Sequence, residues 1–248
     1  MDPLIATAAS GMRSRMETLD VLANNIANAG TTGYKADEAS YNLYFGPGAW
    51  DAYNEGRAPG AEMPVVEKNW TDFSQGTLIP TGNSSDLALT SSGFFTVDTG
   101  KGLMYTRNGH FHVATSGRLE TGDGYAVLGK NNLPITLDPQ RGFEVSTTGE
   151  VTQGGATISQ LAIADADKLE VAEKRGSGYL RFSPDTKLQA AQSPAIMQGS
   201  IEGSNVAPAY TAVKLVGVMR SFEMLQRAVT MGTEMNKKAI EEVARVSS

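Results

Sequence analysis

The sequence predicts an α+β fold in which long N- and C-terminal helices pair as a coiled-coil-like core, with an extended arm and a central all-β domain between them. Three observations carry this prediction. Apolar residues recur at heptad spacing near both ends, short β-prone runs divided by Gly-rich turns fill the middle, and an aperiodic aromatic stretch follows the first helix. The implied boundaries are residues 1–35 for the first helix and the loop that closes it, 36–77 for the arm, 78–198 for the β domain, and 199–248 for a linker and the last helix.

Ile5, Met12, Leu19 and Ile26 recur every seven residues, and Ala8 and Leu22 follow three residues later on the same face, as the a and d seam of a packed helix requires. Gly30 suits the C′ position that stops such a helix. Asn24, Asn25 and Asn28 have modest helix propensity, so their clustering reads either as a helix end rich in Asn or as amides kept for hydrogen bonds to neighbours.

After Lys35 the period is lost. Tyr41, Tyr44, Phe45, Gly46-Pro-Gly48, Trp50 and Tyr53 suit an extended arm without structure of its own, whose aromatics dock on this chain or on a neighbour. From about Leu78 to Ser183 the pattern changes again. Runs such as Phe94-Phe-Thr-Val97 and Tyr125-Ala-Val-Leu128 alternate with turns at Asn108-Gly109, Ser116-Gly117 and Gly154-Gly155, and Gly reaches 27 residues of 248. A small sandwich or open barrel fits strands this short.

Residues 199–204 form a linker, Asn205 suits a helix N-cap, and Pro208 is tolerated in a first turn. Leu215, Phe222, Val229 and Val243 then share one heptad position, while Val218, Leu225, Ala239 and Val246 lie three residues on. Asn236 and Gly232 interrupt the two rows. A helix of about forty residues spans roughly 60 Å, wider than a small β domain, so its partner within the chain is the first helix.

Composition and motifs narrow the function. A formal charge of −6 and a pI near 5.0 argue against nucleic acid. The absence of cysteine removes disulfide and thiolate chemistry, and no apolar run is long enough to span a membrane. The N-terminal octapeptide lacks the basic region of a cleaved signal and is read as mature protein. Gly124-Tyr-Ala-Val-Leu-Gly-Lys-Asn131 approaches a phosphate-binding loop, but Asn replaces the hydroxyl that binds magnesium and the apolar interior reads as a strand. His110 and His112 share one side of a strand without a third ligand at a suitable spacing, and nothing in the spacing of Asp86, Asp123, Glu144 and Glu150 singles out a carboxylate pair. No catalytic residue, cofactor, metal or small-molecule substrate is therefore expected.

Ala23-Asn-Asn-Ile-Ala-Asn-Ala-Gly-Thr-Thr-Gly-Tyr-Lys35 resembles the N-terminal signature of the bacterial flagellar axial proteins of the rod and hook. Further matches lie at Asp86-Leu-Ala-Leu-Thr-Ser-Ser-Gly-Phe-Phe95, Tyr105-Thr-Arg-Asn-Gly109 and Gln198-Gly-Ser-Ile-Glu-Gly-Ser-Asn-Val206. Length and the single modest middle domain are most similar to proximal rod members. The resemblance implies a structural subunit with Gly30, Gly33, Tyr34 and Lys35 as its signature loop. It implies packing against copies of itself and other rod proteins, and passage through the flagellar export apparatus without a cleaved signal. It also implies a place in the basal body across the periplasm. A distal rod or hook-family subunit is the alternative within the family. From a different class, a secreted carbohydrate-binding or hydrolytic β-domain protein is separated from these by deleting both helical flanks.

Overall fold

The computed structural model describes residues 3–45, 62–176, 178–183 and 185–246. It contains two compact units: a helical one built from Met1–Ala27, Asp37–Trp70 and Ala207–Ser248, and a β unit built from Asn28–Ala36 and Thr71–Val206. The chain is α+β. The expected boundaries differ from these, since the signature loop after the first helix belongs to the β unit and most of the arm belongs to the helical one.

In the helical unit, α1 (Pro3–Ala27) packs along α2 (Pro208–Val246). The most buried residues of α1 are Ala8 and Leu22 of the expected seam together with Gly11, Ser14, Thr18 and Asn25, so small and polar side chains share the buried face. Ile5, Met12, Leu19 and Ile26 are only half-buried. Small residues let two backbones approach, and the Thr18 hydroxyl stays satisfied there by donating to the Ser14 carbonyl at 2.8 Å. On α2, Leu215, Val218, Phe222, Leu225 and Val229 are half-buried along the predicted row, and Thr211 and Gly232 are buried. Beyond Gly232 the described side chains are exposed, Asn236 and Ala239 among them. Length explains this: 25 residues of α1 make about 37 Å of helix, whereas the 39 residues of α2 make about 58 Å. Val243 lies on α2, but its side chain is outside the described residues.

The arm is where the expectation fails. Asp37–Phe45 and Glu62–Thr71 pair as a two-stranded sheet, because aromatic residues on the first segment and β-branched and aromatic ones on the second favour extended backbone over an irregular loop. Gly46-Pro-Gly48, Trp50 and Tyr53 fall outside the described residues.

Among the described residues every strand pairing in the β unit is antiparallel, and the largest sheet has nine strands. Strand Phe94–Asp98 shows how period-two side chains build its core. Phe95 and Val97 enter one apolar cluster with Leu87, Phe111, Leu119 and Val151, whereas Phe94 enters a second with Tyr105, Leu180 and Phe182. Phe95 meets Phe111 edge to face at 5.1 Å between ring centroids. Leu78–Pro80 pairs with Ser200–Glu202, which carries the C-terminal end of the unit back to its beginning.

The turn at Asn108-Gly109 presses directly on the strand Leu87–Leu89, with Leu87 N–H donating to Gly109 O at 2.9 Å. A Cβ at position 109 would lie 1.6 Å from Leu87 O, while one at Gly122 would meet nothing within 4 Å. Gly109→Ala is therefore expected to destabilise the chain by about 1–3 kcal/mol or more, and Gly122→Ala to change it by less than about 1 kcal/mol. Urea unfolding of both variants checks this, and equal midpoints would refute the close approach.

Candidate functional site: the junction of the signature loops

The chain leaves α1 at Ala27 and turns through Asn28, whose carbonyl accepts from Thr31 N–H at 3.0 Å and whose Oδ1 accepts from the Thr31 hydroxyl at 3.2 Å. Gly30 is not the left-handed residue of this turn, because α1 has already ended. That conformation falls to Gly33, with φ of +69°. A side chain there would also strike Asn108 N at 2.3 Å. Gly33 N–H then donates to Glu202 O at 2.7 Å, so the loop is fastened at once to the far end of the β unit.

Tyr34 and Lys35 point inward. The Tyr34 ring is buried, with Lys174 Nζ 4.5 Å from its centroid. Lys35 Nζ donates to Glu202 Oε1 at 2.5 Å and to Ser74 O at 2.7 Å. Glu202 is fully buried. Its Oε1 also accepts from Gly76 N–H at 2.9 Å, and its Oε2 from Arg107 Nη1 at 3.1 Å. Arg107 Nη2 donates onward to Ser91 O at 2.9 Å, and the guanidinium sits 5.3 Å from the Phe94 ring centroid.

Two cations thus share one carboxylate away from water. Burial pushes the Lys35 ammonium below its ordinary value, the nearby Arg107 adds to that, and the hydrogen bond and charge of Glu202 oppose it. Removing one member of such a cluster strands the others, which is why it holds its neighbours in place. Asn205 extends the junction. Its Oδ1 accepts from Ala36 N–H at 2.7 Å and its Nδ2 donates to Asp72 O at 2.8 Å, so its amide ties the segments around it together and does not cap α2. That helix begins at Pro208, with Thr211 N–H donating to Ala207 O at 2.9 Å.

Of the three asparagines, Asn25 is buried and uses its amide inside the helical unit. Nδ2 donates to Asp37 O at 2.7 Å and Oδ1 accepts from Asp37 N–H at 2.9 Å, which fixes the end of α1 to the start of the first strand. Asn24 is exposed and Asn28 half-buried. Sequence reasoning singled out Lys35 but not Glu202 or Arg107. The signal available was a charged residue set in each of two motifs otherwise made of small, polar and apolar residues, where only a buried partner explains a full charge.

The remaining chemical candidates are used separately. His110 Nδ1 lies 2.7 Å from Asp86 Oδ1, His112 is exposed opposite Glu120, and Asp123 accepts from the Tyr179 hydroxyl at 2.7 Å. Among the described residues no group of three or more His, Cys, Asp or Glu side chains is placed to hold a metal ion, and no helix is long and apolar enough to cross a membrane.

The helices offer a different kind of site. Tyr210, Val213, Val216, Met219, Met224, Met231, Met235 and Ile240 are exposed on α2, in addition to the row that packs on α1. An apolar surface this long is uncommon on a chain that stays alone.

Three family models match the chain: "Flagella basal body rod protein" over residues 5–35, "Flagellar hook protein FlgE/F/G D1 domain" over 88–153, and "Flagellar basal body rod FlgEFG protein C-terminal" over 197–242. The flagellar basal-body rod protein FlgF of Caulobacter vibrioides is 30% identical over 248 residues, covering 100% of both chains. FlgG of Bacillus subtilis is 30% identical over 93% of this chain and 95% of its own, and FlgF of Rhizobium meliloti is 29% identical over 94% and 95%.

Two measurements check the junction. The unfolded chain keeps the Lys35 proton up to 10.5 and the folded chain releases it earlier, so this group's contribution to stability rises with pH between the lowered value and 10.5. The stability difference between wild type and Lys35→Met is expected to grow across that window, and a flat difference contradicts it. Asn25→Leu is expected to cost about 1–3 kcal/mol by removing both amide hydrogen bonds to the Asp37 backbone, whereas Asn24→Ala stays within about 0.5 kcal/mol, both read by chemical denaturation.

Proposed function

The chain belongs to the flagellar basal-body rod protein family, and on that premise we propose that it forms part of the proximal rod, the stretch of drive shaft nearest the motor. It is a structural subunit of the basal body, where it assembles with other rod components. The observation that supports a polymer subunit most directly is the helical unit, which buries one face of α2 on α1 and leaves apolar side chains on the rest. Heterologous contacts between such surfaces extend as a helical filament when they do not close on themselves. The similarity to FlgF over the full length of both chains supports the proximal position.

On this reading the helices, paired in the manner of a coiled coil, form the tubular core with their neighbours, and the β unit decorates it. The two-stranded arm and the asparagines Asn24 and Asn28 add contacts between subunits. Torque passes from subunit to subunit through interlocked area, without a catalytic step. The chain reaches this place through the flagellar export apparatus without a cleaved signal, and spans part of the periplasm once assembled.

Val213 tests the reading because it is 72% exposed on the folded chain. Val213→Asp is expected to leave unfolding stability within about 0.5 kcal/mol of wild type, yet to abolish swimming and the recovery of complete basal bodies. Normal basal bodies in the Val213→Asp strain would remove α2 from the assembly surface. Cryo-electron microscopy of purified basal bodies decides the proximal position, and density for this chain only in the distal rod would refute it.

A further inference from the structure

Met224, Met231 and Met235 are spaced by seven and four residues, and at 100° per residue all three lie within about 20° of one line along α2. Val213 falls on the same line. The row that packs on α1, Leu215 to Val229, is centred about 140° around the helix, so the two faces are distinct. The three methionines are 63%, 62% and 70% exposed. Met12 and Met104 are half-buried by comparison, and Met16 and Met197 stand on other elements.

A thioether on a flexible, unbranched chain packs well against partners of varied shape, and a face made of three suits contacts with non-identical helices. The same sulfur is chemically vulnerable. A lone pair on the thioether attacks one oxygen of a hydroperoxide, the O–O bond breaks, and an S–O bond forms while the other oxygen leaves as water or an alcohol. Sulfur is oxidised by two electrons and the peroxide is reduced by two. The sulfoxide is a strong acceptor, and a helix flank has no free N–H to pair with it once water is excluded. A dithiol reductase reverses the change, releasing water and a disulfide.

We propose that Met224, Met231 and Met235 form a reversible oxidation site, at which a hydroperoxide converts this face of α2 from assembly-competent to assembly-incompetent. The proposal rests on the reading that the outer face of α2 packs on neighbouring subunits. It makes the unassembled chain the sensitive form, since packing covers the three sulfurs.

The test uses strains whose only copy of the chain is wild type, the triple leucine variant (Met224→Leu, Met231→Leu, Met235→Leu) or the matching triple glutamine variant. Leucine keeps the face apolar without a sulfur, and glutamine supplies a permanent polar acceptor. The triple glutamine strain is expected to yield at least about tenfold fewer basal bodies, with its purified chain folded as wild type. After a hydrogen peroxide pulse, new basal bodies in wild type are expected to fall by a similar factor relative to the leucine strain under the same pulse, and peptide mass spectrometry to find the sulfoxides at these three positions. Equal peroxide sensitivity in the leucine strain, or normal assembly by the glutamine strain, overturns the proposal. The Val213→Asp strain reports separately on the assembly reading itself, since it contains no change at sulfur.

Discussion

Glu202 is the residue on which the β unit closes. Its carboxylate is reached by Lys35 from the segment after α1 and by Arg107 from the middle of the chain, 167 and 95 residues away in sequence. Joining points so distant is entropically costly, and the contact offsets that cost by excluding water and pairing the carboxylate with two cations. The Gly76 amide and the Ser74 and Ser91 carbonyls take up further polar atoms of the cluster, Arg107 Nε is left buried without a hydrogen-bond partner among the described residues, and the Asn205 amide secures the strand ends beside it. The residues that follow α1 and those that precede α2 are therefore held in one small region of the β unit. A buried cluster of this kind is poor evidence for net stability, and a slipped register would leave one of its charges alone.

The helical unit follows a different logic. Small residues on α1 let it lie close to α2, and the difference in helix length leaves the later part of α2 without that cover. Apolar side chains from Tyr210 to Ile240 remain exposed along α2 among its charged ones. That is more apolar surface than a chain that stays monomeric usually shows.

Much of this was legible in the sequence, for identifiable reasons. Heptad spacing marked the two stretches that form the helices, and on α2 the residues of the predicted row from Leu215 to Val229 are half-buried. On α1, Ala8 and Leu22 of the expected seam are buried and Ile5, Met12, Leu19 and Ile26 half-buried, while a rule built on large apolar residues overlooks Gly11, Ser14 and Thr18 beside them. The arm was misjudged since its two strands are too far apart in sequence for a turn signal to announce their pairing. Gly30 and Asn205 were assigned from local propensity, and tertiary contacts overrode both: the left-handed turn residue is Gly33, and Asn205 serves the backbone of Ala36 and Asp72. The ion cluster stayed hidden because nothing local links Lys35, Arg107 and Glu202, although each sits inside a motif that the resemblance had marked.

Closure of the β unit depends most on energetic coupling between its two ends, and a double-mutant cycle of Lys35→Met with Glu202→Leu measures it directly. Coupling of about 1–3 kcal/mol in unfolding free energy is predicted, with the double variant less destabilised than the sum of the single ones, because removing one cation relieves the charge that the lost carboxylate strands. Additivity within about 0.5 kcal/mol would contradict it, showing that Lys35 and Glu202 contribute independently and that the junction is not what closes the unit.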